Sequence, residues 1–250
     1  MKQDQSMRRI GLARALSKLG YCSRTQSAVL IRAGRVRLNG GVQRNPEAPV
    51  RLPQDRILVD ERAVEQQKKI YLIMNKPRGL VTTASDEKGR QNIYHVLTKS
   101  GESLPWVAPV GRLDKASEGL LLLTNDSEWG ARIAAPETHL PKTYHVQIGA
   151  LADDRLIRAI ATGVATDSGD FLRATQARLL RSGEKNCWLE IILDEGKNRQ
   201  IRRMLDALGV EVLRLVRVSI GPLQLGRLAK GDYRHLTLEE KLALDHVMEK

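Results

Sequence analysis

Residues 120–123 are four consecutive leucines, set between Gly119 and the polar turn Thr124-Asn125-Asp126. A run this apolar has to be buried, and it is far too short to span a bilayer, so it reads as a strand inside a folded core. Around it, from Tyr71 onward, the chain continues as strands broken by glycine and proline: YLIMNKPRGLVTT at 71–83, TYHVQIGAL at 143–151, CWLEIIL at 187–193 and EVLRLVRVSIGPL at 211–223. Two helices interrupt them, Asp153 to Gly163 and Arg199 to Leu208. In the second, Ile201, Met204, Leu205 and Leu208 form an i, i+3, i+4, i+7 stripe that leaves Arg199, Arg202 and Arg203 off the apolar face. Strands that do not alternate regularly with crossover helices predict an α+β domain around a mixed, mainly antiparallel sheet.

The first seventy residues follow a different pattern. Ile10, Ala13, Leu16 and Leu19 fall near one helical face, Gly20 stops that helix, and Ser23 can cap a second one carrying Ala28 and Ile31. Val36 and Leu38 alternate into Asn39-Gly40, a strong hairpin signal, with Val42 beyond it. Ile57–Val59 adds a strand, and the polar stretch Glu61–Lys69 reads as a linker. The expected organisation is a small domain of two helices and a hairpin at 1–66, followed by a larger one at 67–250.

Charge separates the same two regions. Of a net +12, residues 1–68 carry 14 Lys/Arg against 6 Asp/Glu, and residues 69–250 carry 27 against 23. Arginines interleaved with apolar residues describe a folded basic surface, suited to nucleic acid before acidic membrane. The N-terminus MKQDQSMRRI has no secretory apolar stretch, and no membrane association is expected. Cys22 and Cys187 make neither a disulfide framework nor a metal cluster, which suits the cytoplasm. The five histidines, His95, His139, His145, His235 and His246, show no paired spacing, and no phosphate loop or nucleophile motif occurs, so neither metal nor cofactor is called for.

One segment carries chemistry: GRLDKASEGLLLLTND, residues 111–126, in which a polar Arg-Leu-Asp tip precedes the buried strand. Taken alone, Asp114 is most often a turn or capping carboxylate. The segment resembles the catalytic motif of pseudouridine synthases, in the branch that acts on bacterial ribosomal RNA. MNKPRGLVTT (74–83) is similar to that branch's opening strand and loop, PKTYHV (141–146) to its tyrosine motif, and DEGKNRQIRRML (194–205) to its basic helix motif. SRTQSAVLIRAGRVRLNG (23–40) resembles the RNA-binding domain first seen in ribosomal protein S-four, which commonly precedes this catalytic domain. The resemblance runs from about residue 70 to about 235, plus the first sixty residues.

That resemblance implies conversion of uridine to pseudouridine by breaking the glycosidic bond, turning the base and rejoining it through carbon five, without cofactor or metal. Asp114 matches the essential aspartate. A carboxylate kept ionised in a partly buried pocket needs a cationic neighbour, and Arg202 matches the basic residue that pairs with it; from the residues alone Arg202 is a solvated helix charge. Tyr144 corresponds to the active-site tyrosine, able to stack on uracil and help remove the proton from carbon five, though a lone strand tyrosine is also a core residue. Arg112 resembles the arginine that enters the space left by a flipped nucleotide. Arg24, Arg32, Arg35 and Arg37 of the small domain, Lys76, and Arg199 and Arg203 are the further expected RNA contacts. Ser117 stands where the branch often has threonine, and Thr25 where a second arginine is common. No long basic extension follows Lys250, so the target of members that have one does not carry over.

The implied partner is ribosomal RNA or a pre-ribosomal particle, large-subunit RNA before small, bound by a monomer. The competing reading is a non-catalytic RNA-binding or assembly factor that keeps the fold, against which intact Asp114, Tyr144 and Arg202 argue. A DNA-binding protein accounts for the charge but gives the aspartate motif no purpose.

Overall fold

The computed structural model describes residues 9–83, 90–99 and 101–249; the first eight residues, which contribute to the N-terminal basic excess, lie outside them. The chain falls into two compact units. One holds the residues up to Tyr71 with Glu102–Ala108 and Thr124–Ser127, the other Leu72–Gly101, Pro109–Leu123 and Glu128–Lys250.

The smaller unit runs β1 (Ile10–Gly11), α1 (Leu12–Lys18), α2 (Arg24–Arg32), β2 (Val36–Leu38), β3 (Gly41–Gln43), β4 (Pro49–Val50), β5 (Ile57–Val59) and β6 (Arg62–Ala63). Ser23 caps α2 in a reciprocal box: its hydroxyl accepts from the Gln26 amide and its own amide donates to the Gln26 side chain, both at 3.1 Å. Such caps stabilise a helix by about 0.5–2 kcal/mol. Asn39 and Gly40 both take positive φ, 52° and 90°, as a two-residue hairpin turn requires. The helix pair and the sheet β3-β2-β5-β6 enclose Leu12, Leu16, Ile31, Val36, Val50, Ile57 and Val59. Ile10, expected on the first helical face, instead sits in β1 opposite Val50, so α1 starts two residues later. The stretch expected as a linker is tied down within the unit: Gln67 donates to the Leu19 carbonyl, Asn125 brackets Lys68 and Ile70 with two hydrogen bonds, and Lys69 pairs with Asp126 at 2.8 Å.

The larger unit runs β7 (Tyr71–Lys76), α3 (Tyr94–Lys99), β8 (Ala108–Val110), β9 (Glu118–Thr124), α4 (Ser127–Ala134), β10 (Lys142–Ile148), α5 (Asp154–Thr162), β11 (Val164–Ala165), β12 (Phe171–Leu172), β13 (Gln176–Ser182), β14 (Cys187–Leu193), α6 (Gln200–Ala207), β15 (Val212–Ile220), β16 (Leu223–Gln224), β17 (Tyr233–His235) and α7 (Leu238–Met248). Its main sheet has the order β13-β14-β10-β15-β9-β7-β17, with β8 on β9 and β16 on β15. The four strands from β13 to β15 are antiparallel; β15 then joins β9 in parallel, with Val216 opposite Glu118 and Arg217 opposite Gly119. The fold is α+β, with a mixed and mainly antiparallel sheet.

Every residue of β9 is buried, as the leucine run requires. Ile201, Met204 and Leu205 of α6 pack with Val146, Ile148, Leu189 and Ile191 of β10 and β14, so the stripe read from the sequence does face the core. Gly119 sets how closely β9 approaches β15: its φ is +100°, and a Cβ there would lie 2.3 Å from the Arg217 carbonyl oxygen. Among the described residues no helix is long and apolar enough to cross a membrane.

Candidate active site

Asp114 sits on a tight turn at the entry to β9, closed by the Ser117 amide donating to the Asp114 carbonyl at 3.0 Å. Backbone atoms all along this turn are gripped by the end of β7 and the segment that follows it. The Lys76 ammonium donates to the carbonyls of Pro77, Asp114 and Ser117 at 3.2, 3.1 and 2.9 Å. The Thr82 hydroxyl donates to the Leu113 carbonyl at 2.7 Å, and the Gly79 amide to that of Lys115 at 2.8 Å. From the other side the Arg202 guanidinium reaches the Ala116 carbonyl at 3.1 Å and that of Val212 at 3.3 Å. With its backbone fixed this way, the turn presents the Asp114 side chain, one quarter exposed, to a cleft of about 480 Å³. Placement within a fraction of an ångström is what such chemistry needs from a scaffold.

The same cleft is lined by Arg112, Lys142, Tyr144, Arg199 and Arg217. Lys142 and Tyr144 enter from β10, Arg217 from its neighbour β15, where it is the cross-strand partner of Tyr144. Arg199 approaches from the start of α6 and places its guanidinium 3.5 Å from the Asp114 carboxylate. Cations dominate the charged lining, Arg112, Lys142, Lys197, Arg199 and Arg217 against Asp114 and Glu195, and Lys76 lies beneath the Asp114 turn. Burial pushes Lys76 down to about 8, against the attraction of Asp114 and Glu118, and Lys142 is lowered first by burial and then by the charge of Arg217. A carboxylate set among these cations can act as a nucleophile or as a charge stabiliser at an electron-deficient centre.

Residues 70–207 match the RNA pseudouridylate synthase family, and residues 10–57 match the S4 domain. The chain belongs to the RNA pseudouridylate synthase family. It is 37% identical over 235 residues to an RNA pseudouridine synthase of Aquifex aeolicus, covering 94% of this chain and 93% of that one. It is 35% identical over 233 residues to the ribosomal large subunit pseudouridine synthase B of Bacillus subtilis, covering 92% and 93%. A crystal structure of a pseudouridylate synthase superposes with a TM-score of 0.63 at 29% identity, over 94% of this chain and 99% of that one.

Within this synthase the residues singled out from the sequence are placed unevenly. Asp114, Tyr144 and Arg112 share the cleft, Arg112 exposed at its edge. Among the described residues the cation within ion-pair distance of Asp114 is Arg199, however, and not the expected Arg202. Arg202 spends its donors on backbone carbonyls, and burial followed by the nearby Arg199 charge lowers its pKa. One turn of helix separates the two positions, and Arg199, the N-cap residue of α6, holds a left-handed backbone, φ 49°.

Lys76 corrects an expectation. It is wholly buried and serves the Asp114 turn, so it cannot touch RNA. Arg203 reaches Asp170 and Ser168, pinning the β11–β12 hairpin against α6. In the smaller unit Arg35 and Arg37 are paired with Asp60 and Glu61, while Arg24 and Arg32 project into solvent from α2.

Sequence reasoning passed over Lys142 and Arg217. The signal for Arg217 was the period of β15, where Leu215, Arg217 and Ser219 are all buried: a guanidinium and a hydroxyl occupy inward positions of a strand that otherwise reads as core.

Proposed function

We propose that this synthase isomerises a specific uridine of ribosomal RNA, large-subunit RNA before small, to pseudouridine, with residues 1–66 as an RNA-holding module and 67–250 as the catalytic domain. The Asp114 carboxylate, held over the cleft by a turn clamped from both sides, carries the reading. The name of the Bacillus subtilis relative supports the substrate.

In the proposed reaction the bond between the sugar C1′ and uracil N1 breaks, its electron pair leaving with the base. Asp114 attacks the substrate or stabilises charge at the sugar. The base turns, C5 bonds to C1′, and the proton shed from C5, which Tyr144 helps to remove, is matched by one taken up at N1. Bonds are redistributed without net oxidation or reduction, so the scheme calls for no cofactor. Arg112, at the cleft edge, fills the space of the extruded nucleotide; extrusion costs a few kcal/mol and least for an unpaired base. Exposed Arg24 and Arg32 hold RNA through phosphates and helix shape, which suits a monomer working on structured RNA in the cytoplasm.

Asp114→Asn keeps the side-chain shape and removes the charge. Release of tritium from ribosomal RNA labelled at uracil C5 should fall to background, while filter binding of the same RNA is retained. Measurable turnover by the folded variant would sink the assignment of Asp114.

A further inference from the structure

Three buried side-chain polar atoms among the described residues have no hydrogen-bond partner: Ser117 Oγ, Arg202 Nε and Arg217 Nη2. All three belong to residues around the Asp114 turn. Ser117 closes it, Arg202 holds the Ala116 carbonyl, and Arg217 lines the same cleft. Each such orphan costs about 1–3 kcal/mol, and native proteins tolerate them where something else completes the bond.

Arg217 is the one whose chemistry points to a ligand. The residue is 5% exposed, and its Nε donates to the Leu120 carbonyl at 2.8 Å, which fixes the plane of the guanidinium. Its cross-strand partner is Tyr144, and both residues line the cleft that Asp114 faces. Lys76 and Lys142 both feel its charge. A cation set among cations with a spare donor needs an electron-rich partner. Depth selects which: a guanidinium this enclosed is reached by the flat edge of a base, whereas a hydrated phosphodiester stays at the rim.

We propose that Arg217 is a further catalytic residue of this cleft, donating from its unpaired nitrogen to a carbonyl oxygen of the uracil and stabilising the negative charge that collects there as the bond to C1′ breaks. The proposal rests on the function proposed above. The electron pair of that bond moves into the ring and onto its oxygens, and Arg217 adds a hydrogen bond that strengthens as the charge develops, which is how a fixed donor accelerates a step.

The test compares wild type, Arg217→Lys and Arg217→Gln on two RNAs, one with uridine and one with 5-fluorouridine at the target. Fluorine makes the departing base a weaker base that needs less help. Single-turnover consumption of the target nucleoside is followed by chromatography of digested RNA. On the uridine RNA the variants should lose about 10²–10³ in rate, the range for one lost oxyanion donor, with RNA affinity unchanged. On the 5-fluorouridine RNA the deficit should be clearly smaller. Equal deficits on both RNAs, including those of variants that melt early, would make Arg217 structural and overturn the proposal. An unchanged rate would overturn it too, as would a loss confined to affinity with a flatter salt dependence, which would assign Arg217 to a phosphate. Wild type that rearranges neither RNA would instead overturn the function on which the proposal rests.

Discussion

Arg199 holds a left-handed backbone, φ 49° and ψ 32°, that costs an L-residue about 1–2 kcal/mol, and it does so at the point where its side chain meets Asp114. Arg199→Gly removes that strain but adds the flexibility of glycine to the unfolded chain, about 0.5–1 kcal/mol. The ion pair it deletes is half exposed on the arginine side and contributes little to stability. The variant should therefore melt within a few degrees of wild type while turnover drops by about 10²-fold, because the carboxylate loses its orienting partner. Unchanged turnover would return the pairing role to Arg202. Lys76 offers a second test, by pH. Its folded pKa, about 8, lies below the 10.5 of an ordinary lysine, so between these values the unfolded chain binds more protons and stability rises with pH. Wild type should gain up to about 3 kcal/mol over this window relative to Lys76→Met, which lacks the group. The same deprotonation leaves two N–H donors for three carbonyls, so activity should fall as stability rises. A wild-type-to-Met gap that stays flat between pH 8 and 10 would contradict the shift.

At the scale of elements, the sequence was most legible where a local signal had a single solution. Asn39-Gly40 makes the hairpin because both residues must take positive φ, Ser23 starts α2 because its hydroxyl reaches Gln26, and α6 follows its stripe. The helices α3, α4 and α7 were not anticipated. In α4 only Trp129 and Ile133 are buried, two positions in two turns, and α7 buries Leu244 while Leu238 and Leu242 stay exposed, so neither shows a stripe wide enough to read. Strand order was not legible at all. Nothing near residue 119 says that β9 will lie parallel to β15, nearly a hundred residues later; the clearance at Gly119 permits it, but only the assembled sheet chooses it. In the site, Asp114 and Tyr144 were legible through resemblance to a family, since each alone has an ordinary structural reading. Lys76 was misread because lysine is almost never wholly buried without a partner, and here three carbonyls supply that role.

At the scale of the whole molecule, the basic excess of the N-terminal region predicts how RNA is held. Deleting residues 1–66 should leave the main sheet folded but less stable, since Glu102–Ala108 and Thr124–Ser127 lose the unit they belong to. RNA affinity should drop, and its salt dependence should flatten by about 0.7–0.9 in slope for each phosphate contact removed; an unchanged slope would take the small unit out of the RNA interface. The position of β15 has a consequence in time. It is among the last strands to be synthesised, yet it lies inside the sheet between β10 and β9, and it brings Arg217 to the cleft. A nascent chain can form most of its RNA-holding unit early, because that unit is nearly contiguous in sequence, while the cleft stays open along its middle until residues beyond 220 have left the ribosome. On the proposed division of labour, such a chain would hold RNA before it could change it.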